Sequence, residues 1–385
     1  MVQQALATLG RTLHSHVSLS KSRMETLCLL IVAVVSARTV NLSHLASERQ
    51  TTTKIASTYR RLQRFFQHVD LGSDWSAGLV VKLPGLTAPW HLCLDRTNWK
   101  VGCKDVNILM LAVVTRRHRV PLMWTVLDRA GTSDTDQRIA LMRRYLALFG
   151  AASIKLLLAD REFIGVRWLR FLNENNVPMV IRVKEGLSVV TEDGRKLTLK
   201  SLLRKCRGAR QFSASLTGSK SDVPLKLNFA AKRIKGKELL IVASNAPADR
   251  ALAAYRKRWA IECLFGDAKT RGLNLEDTRL THPQKLDLLL GIVALAMAWA
   301  SKTASRLIGT AKMPRKKHGY YAKSWFRVGL DKIRRLLRTD PITAIEPWRQ
   351  IRPKRTRVVQ GDQHPKSAYN VMILIPESRS DVAKS

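Results

Sequence analysis

Apolar and polar positions alternate with helical spacing through the first 85 residues. Residues 24–38 are apolar on most sides, as in a buried helix. A short helix with a capping residue follows at 40–46, and residues 51–68 form a longer basic helix. This succession predicts an all-α N-terminal domain with a helix-turn-helix-like unit. A helical bundle with a solvated basic face is the alternative.

Beyond residue 85 the pattern changes to short apolar strands separated by amphipathic helices. Helices are predicted at 132–149 and 166–175. The order of strands and helices is that of an α/β domain built around a buried mixed sheet. The predicted strands are 91–95, 106–115, 120–128, 154–160 and 178–183.

Residues 184–235 interrupt this pattern. They are rich in Lys, Ser, Gly and Thr with weak alternation, which predicts a small β-rich insertion. A core strand returns at 236–245, followed by a helix at 249–269 and a long apolar helix at 284–308.

The last region of the chain is strongly basic. We expect it to be helical to about residue 338 and loose beyond Pro341. Four regions result: 1–85, 86–183 together with 236–310, the insertion 184–235, and the C-terminal region 311–385.

Composition favours a polyanionic partner. The chain carries 67 Lys and Arg against 29 Asp and Glu, a net charge of +38. Double-stranded DNA is the expected partner, with a ribosome-like or membrane-surface basic protein as the alternative. A content of 45% apolar residues excludes a disordered basic tail. On the predicted basic helix, Arg60, Arg61 and Arg64 are candidate DNA contacts, together with Lys54.

Neither a membrane nor an oxidising compartment is indicated. The apolar runs 27–35 and 288–300 are shorter than the roughly 20 residues that span a bilayer, and we interpret both as buried core helices. The five cysteines are scattered without CxxC pairing, which argues against a zinc site or disulfide framework. We expect them to be core fillers in a cytoplasmic, nucleoid-associated protein.

The helix at 249–269 carries the most informative chemistry. Tyr255, Arg258, Glu262 and Lys269 are spaced three, four and seven residues apart, which gathers them along one side of a helix. A carboxylate among three groups able to grip phosphate is expected where DNA is cut, because the carboxylate can hold a metal ion while its neighbours hold the strand.

Two further acids stand at predicted strand ends. Asp95 and Asp160 each close an apolar strand, where α/β sheets place their ligand sites. Together with Glu262 they supply hard oxygen ligands that suit Mg²⁺, with Mn²⁺ able to substitute. For either aspartate alone, a capping role is the leading alternative.

These motifs resemble those of bacterial insertion-sequence transposases of the DDE type. The resemblance rests on residues 94–99 (LDRTNW), 159–163 (ADREF) and the Tyr-(2)-Arg-(3)-Glu-(6)-Lys spacing, with 279–282 (RLTH) beyond it. This spacing identifies the chain as similar to the IS-four family over roughly residues 85–310.

The resemblance implies an RNase H-like catalytic domain, a β-rich insertion before the glutamate, and an N-terminal domain that recognises the element's ends. It also implies a homodimer that cuts in trans. In this family pattern Asp95, Asp160 and Glu262 hold the metal ions, and Tyr255, Arg258 and Lys269 grip phosphates. Trp259 matches a helix tryptophan that stacks on a DNA base, and packing into the core is its alternative role.

One departure concerns relatives that excise through a DNA hairpin, because these hold a flipped base with a tryptophan in the insertion. Here the aromatic residues of the insertion are Phe212 and Phe229. Of the other acids, Glu162 is expected to pack or form a salt bridge rather than bind metal, and Asp267 is expected to be solvated. No GxxxxGK[ST] loop is present, so ATP use is not indicated.

Two rival functions stay open at this point. One is a non-catalytic DNA-binding protein, either a repressor or a decayed copy of the element. The other is a general RNase H-like nuclease without end specificity.

Overall fold

A ten-stranded mixed sheet flanked by helices forms the centre of the protein. Its strands are β1 Trp90–Val101, β2 Lys104–Val114, β3 Arg119–Leu127, β4 Ile154–Ala159, β5 Met179–Arg182, β6 Ser188–Val190, β7 Lys196–Thr198, β8 Ala209–Leu216, β9 Leu225–Arg233 and β10 Leu239–Ser244. The computed structural model describes residues 2–49, 52–128, 130–217, 223–234, 238–317, 319 and 321–351.

The strands follow the order β3-β2-β1-β4-β5-β10-β9-β8-β6-β7. β1, β2 and β3 pair antiparallel, whereas β1, β4 and β5 run parallel to one another. The predicted mixed α/β sheet is therefore confirmed, and so is the hairpin formed by β2 and β3.

The strands of the predicted insertion continue this same sheet. β9 pairs antiparallel with β10, β8 pairs with β9, and β6 with β7 lie beyond β8. The segment is rich in strands as expected, but those strands extend the central sheet and form no sheet of their own. The division of the chain into four regions stays a prediction.

Among the described residues, five helices precede the sheet. They are α1 Val2–His14, α2 Lys21–Ala37, α3 Leu42–Ser47, α4 Ile55–His68 and α5 Ala77–Lys82. The side chain of Asn41 accepts a hydrogen bond from the Ser43 backbone N–H (3.1 Å) and so caps α3. α2 ends at Ala37, and the left-handed backbone of its C-cap residue Arg38 (φ 59°) turns the chain toward α3.

Further helices cover the sheet. α6 Thr135–Phe149 begins with a capping box formed by Asp134 and Gln137. The others are α7 Val166–Glu174, α8 Leu199–Leu202, α9 Ala251–Tyr255, α10 Trp259–Ala268, α11 Pro283–Ile308, α12 Trp325–Thr339 and α13 Pro341–Arg349.

α11 is the central helix of the core. It packs against β3, α2 and α12. Its 26 residues make it the one described helix that is long and apolar enough to cross a membrane, yet 89% of its most apolar window is buried inside the protein. The interpretation of 288–300 as part of a buried core helix is confirmed.

Three expectations about the helices, strands and cysteines are wrong. The end of the described chain is not loose beyond Pro341, because Asp340 caps α13 and Pro341 occupies its first turn; residues 352–385 lie outside the described residues. Asp95 does not end its strand, since β1 continues to Val101 through its pairing with β2. The cysteines are not all core fillers, because Cys103 is exposed.

Candidate functional site

Asp95 and Asp160 lie side by side where two parallel strands part. The pairing of β1 with β4 ends at Leu94 and Ala159, and the next residue of the chain in each case is one of the two acids. β4 stops at Ala159, so Asp160 follows the strand and begins a turn, whereas Asp95 lies within β1. The topology thus brings together two residues that are 65 positions apart in the chain.

A broken helix crosses these strands and carries the third acid. The predicted helix 249–269 consists of α9, a 3₁₀ turn at Arg256–Arg258, and α10. Because the 3₁₀ turn winds more tightly than an α-helix, Tyr255 and Arg258 do not follow ideal helical positions. Both side chains nevertheless point to the strand acids.

Tyr255 and Arg258 connect the three acids. The Tyr255 hydroxyl donates to Asp160 Oδ1 at 3.1 Å. Arg258 Nη1 donates to Asp95 Oδ2 at 3.3 Å, and its Nη2 donates to Glu262. The arginine side chain is only 12% exposed. One guanidinium therefore neutralises an acid of the sheet and the acid of the helix at once.

The electrostatics of this cluster are dominated by burial and by neighbouring acids. Burial raises the pKa of Asp95 to about 6, and the negative charges of Glu162 and Asp160 add to the rise, while the Arg96 N–H and Arg258 oppose it. Burial also raises the pKa of Tyr255 well above its usual value, with Asp160 contributing. Tyr255 is therefore a protonated donor at neutral pH.

The pKa of Arg258 is raised as well. Burial acts to lower it, but the hydrogen bond to Glu262 and the charges of Asp160 and Asp95 outweigh burial. The guanidinium is a permanent cation at this site.

Arg96 links the site to a second carboxylate. Its backbone N–H donates to Asp95 Oδ1 (2.8 Å), and its guanidinium forms a salt bridge with Glu162 (3.4 Å) and a hydrogen bond to Asn107 (3.0 Å). The expected salt-bridging role of Glu162 is confirmed. These contacts hold the chain after Asp160 against β1.

Lys269, the residue after α10, contacts β1 beyond Asp95. Its Nζ donates to the Asn98 carbonyl at 3.0 Å, pairs with Glu276 at 2.8 Å and stands 5.6 Å from the ring centre of Trp99. The structure thus brings Tyr255, Arg258 and Glu262 together with both aspartates. It places Lys269 beside Asn98 and Trp99, which follow Asp95 on β1.

The other candidate DNA contacts lie on the surface. Trp259 is 62% exposed, so packing into the core is excluded for it. On α4, Arg60 and Arg64 are exposed. Arg61 instead holds α4 to α2 through Thr26, the Ser22 carbonyl and Glu25.

Sequence reasoning missed several residues around the site. Asp267 is not solvated but buried, and burial raises its pKa to about 6. Glu276 and Asp277 lie on a 3₁₀ turn after Gly272, outside any helical spacing from Lys269. Asp277 has its partners, Thr39 and Asn41, in a distant part of the chain, so no local signal marks it. Trp99, in contrast, belongs to the motif at 94–99.

The three acids supply the oxygen ligands that Mg²⁺ and Mn²⁺ prefer. Burial is the main cause of the raised pKa of Asp95, and the neighbouring charges of Glu162 and Asp160, which add to it, also favour a cation. In the described part of the chain no group of three or more His, Cys, Asp or Glu side chains is arranged to hold a metal ion by itself, and Arg258 lies between Asp95 and Glu262. The oxygen ligands of the three acids thus suit a divalent cation chemically, while in this structure Arg258 is the cation that lies between Asp95 and Glu262.

Fold and site together define a mixed α/β protein in which a broken helix brings one acid, a tyrosine and an arginine to two acids of the sheet. The transposase DDE domain family matches residues 86–299, more than half of the 385 residues, and the chain belongs to this family. Membership supports a transposase function in general. No curated protein matches the chain.

Proposed function

We propose that this protein is the DNA transposase of an insertion sequence of the IS-four family with the Tyr-Arg-Glu-Lys signature. It binds the ends of its element and catalyses metal-dependent, ATP-independent strand cleavage and strand transfer. The observation that carries the proposal is the contact of Arg258 with both Asp95 and Glu262, beside the contact of Tyr255 with Asp160. Those contacts bring the three acids together with Tyr255 and Arg258 of the signature.

In this proposal Asp95, Asp160 and Glu262 hold Mg²⁺ or Mn²⁺. When bound, the metal supplies charge stabilisation at the scissile phosphate and lowers the pKa of an attacking hydroxyl. The chain's own cations hold the strand. Arg258 offers a planar fork to phosphate oxygens, and Lys269 offers a mobile point charge next to β1. Tyr255 keeps Asp160 oriented through its hydroxyl.

The sheet supports an RNase H-like assignment for the catalytic domain. Three antiparallel strands, β3-β2-β1, continue into two strands parallel to β1, and the acids stand on β1 and directly after β4. A catalytic helix laid across the sheet, α10, brings the third acid. The strands β6 to β9 stand between Asp160 and Glu262 in sequence, where the family pattern has its insertion.

DNA recognition is assigned to surfaces outside the acid cluster. The net charge of +38 supports a polyanionic partner. In the proposal, Arg60, Arg64 and, through the outer part of its side chain, Arg61 contact the element's end from α4, while Trp259 stacks on a base. A homodimer that cuts in trans completes the proposal by family resemblance.

The testing experiment is strand cleavage on a plasmid that carries the DNA flanking the gene. Purified protein is incubated with Mg²⁺, with EDTA, or as Asp160→Ala, and the cut positions are mapped. Asp193→Ala is the matched control, because this acid forms an exposed ion pair with Arg195 in the insertion segment. Metal-dependent cuts at both element ends, lost only in Asp160→Ala, are expected.

Two other outcomes would replace the proposal. Binding at the ends without cleavage, with competitor DNA present at about 150 mM salt, would indicate a repressor or decayed copy. Scattered cuts without preference for the ends would indicate a general nuclease.

A further inference from the structure

The connection between α2 and α3 is attached to the segment that follows the catalytic helix. Thr39 Oγ1 donates to Asp277 Oδ2 at 2.6 Å, and Asn41 Nδ2 donates to Asp277 Oδ1 at 3.5 Å. Thr39 is 6% exposed, so its contact is shielded from water. Both oxygens of Asp277 thus serve residues more than 230 positions earlier in the chain.

Arg38 holds the other end of the same segment. Its Nε donates to the Gly272 carbonyl at 3.3 Å and its Nη2 to the Arg271 carbonyl at 3.4 Å. Three nearby residues of the α2–α3 connection therefore hold residues 271–277 at both ends.

The segment also holds a signature residue. Glu276 pairs with Lys269 at 2.8 Å, while the Lys269 ammonium donates to the Asn98 carbonyl of β1. Glu276 and Asp277 are neighbours on the 3₁₀ turn Leu275–Asp277. Glu276 contacts Lys269 at the end of α10, and Asp277 contacts the connection between α2 and α3.

Short-range backbone hydrogen bonds hold the segment together and attach it to the end of α10. Backbone hydrogen bonds from Gly272 (3.0 Å) and Asn274 (2.8 Å) both return to the Lys269 carbonyl, and Leu273 donates to the Asp267 carbonyl at 3.2 Å. Asn274 takes a left-handed conformation (φ 49°). A displacement of Asp277 is therefore passed to Glu276 across a single, closely bonded turn.

We propose that Glu276 and Asp277 are positioning residues that couple occupation of the N-terminal helices by DNA to the placement of Lys269. Asn41 strengthens this path, because the side chain that contacts Asp277 also caps α3. α4, with Arg60 and Arg64, packs on α3. The coupling rests on the proposed function, since it requires DNA on these helices and a phosphate role for Lys269.

The test is a double-mutant cycle between the two sides of the junction. Thr39→Val removes the hydroxyl donor with little change of shape, and Asp277→Ala removes its acceptor. Each variant is expected to bind the element's end within about twofold of the unchanged protein but to cleave it about tenfold more slowly in a single turnover. The double variant should be no slower than Asp277→Ala, because that single variant has already lost the contact with Thr39.

Hydrogen exchange gives a readout that does not depend on cleavage. End DNA should protect residues 55–68 in every variant, and residues 269–278 only where the junction is intact. Glu276→Gln should lower cleavage while leaving the protection at 269–278 in place, since the Asp277 contacts persist. Asp193→Ala, in the exposed pair with Arg195, is the control and should behave as the unchanged protein.

Additive losses in the double variant, or a parallel fall of binding, cleavage and melting temperature, would overturn the coupling in favour of a purely structural contact. Unchanged cleavage in both single variants would overturn it as well. If the unchanged protein neither bound nor cut the ends, the proposed function itself would fail. That outcome differs from an end-cutting protein whose junction variants are indistinguishable from it.

Discussion

The carboxylates at the two ends of α10, Glu262 and Asp267, have different surroundings. At the N-terminal end, Glu262 shares Arg258 with Asp95, and its side chain is 35% exposed. At the C-terminal end, Asp267 is 6% exposed and accepts one long hydrogen bond from Ser324, the residue that caps α12. Burial raises its pKa to about 6, although Arg119 and Arg271 oppose the rise.

The surroundings of Glu262 suit the binding of a ligand, whereas those of Asp267 suit the attachment of α12. An acid that is partly open and paired with a cation can exchange that partner for another cation. A buried acid against a helix cap has no room for such an exchange, and its polar contacts serve to attach α12. Two acids five residues apart on one helix can therefore have unrelated roles.

The sharpest way to break the comparison is to neutralise each acid in turn. Glu262→Gln should lower end cleavage on the order of 10³-fold or more, because a charged member of the site is lost. Asp267→Asn should retain cleavage within about fivefold, since it is removed from the strand acids. Single-turnover cleavage with matched end-binding assays checks both. Equal losses would show that the two acids share one function.

The anchoring end can be tested without DNA. A methyl group on Gly272 would lie 1.8 Å from the Asp267 carbonyl oxygen and 2.6 Å from the Phe326 ring, so Gly272→Ala forces backbone apart. We expect the free energy of unfolding to fall by about 3 kcal/mol. Gly186→Ala is the control, because its added methyl group meets nothing within 4 Å. Denaturant unfolding that gave equal midpoints for the two variants would contradict the tight turn.

The pH dependence of stability sharpens the comparison further. The folded-state pKa of Asp267, about 6, exceeds its ordinary value of 3.8. The folded protein therefore binds more protons than the unfolded chain between these values, and this contribution to stability is lost as the pH rises through about 6.

Asp267→Asn should remove that part of the slope. Between about pH 4.5 and about pH 7.5 the unchanged protein should lose about 2 kcal/mol more unfolding free energy than the variant. Urea titrations at the two pH values measure the difference. Parallel pH profiles would mean that Asp267 is not a buried acid in solution.

The sequence predicted the strands of the sheet more completely than the backbone geometry around the acids. Apolar runs located β1, β4 and the hairpin because a buried strand needs them, and the spacing from Tyr255 to Glu262 predicted one side of a helix. The 3₁₀ turn at Arg256–Arg258 could not be predicted, since tertiary contacts rather than local preference tighten it.

The length of β1 and the burial of Asp267 could not be predicted from the local sequence pattern either. Polar residues after Asp95 signal an end to a strand, yet pairing with β2 continues the strand to Val101. The local pattern predicts a solvated Asp267, whereas in the fold Asp267 is buried and accepts a hydrogen bond from Ser324, more than 50 residues later. Such contacts depend on the assembled fold.

The packing of α1 against α13 has a consequence for the synthesis of the protein. Buried residues of α1 include Leu9 and Leu13, and α13 ends at Arg349. At roughly 5–20 residues per second, a ribosome needs on the order of 20 to 70 s to add the chain between these two helices. During that interval the apolar side of α1 lacks its final partner, so the nascent chain is expected to depend on chaperones that bind exposed apolar helices.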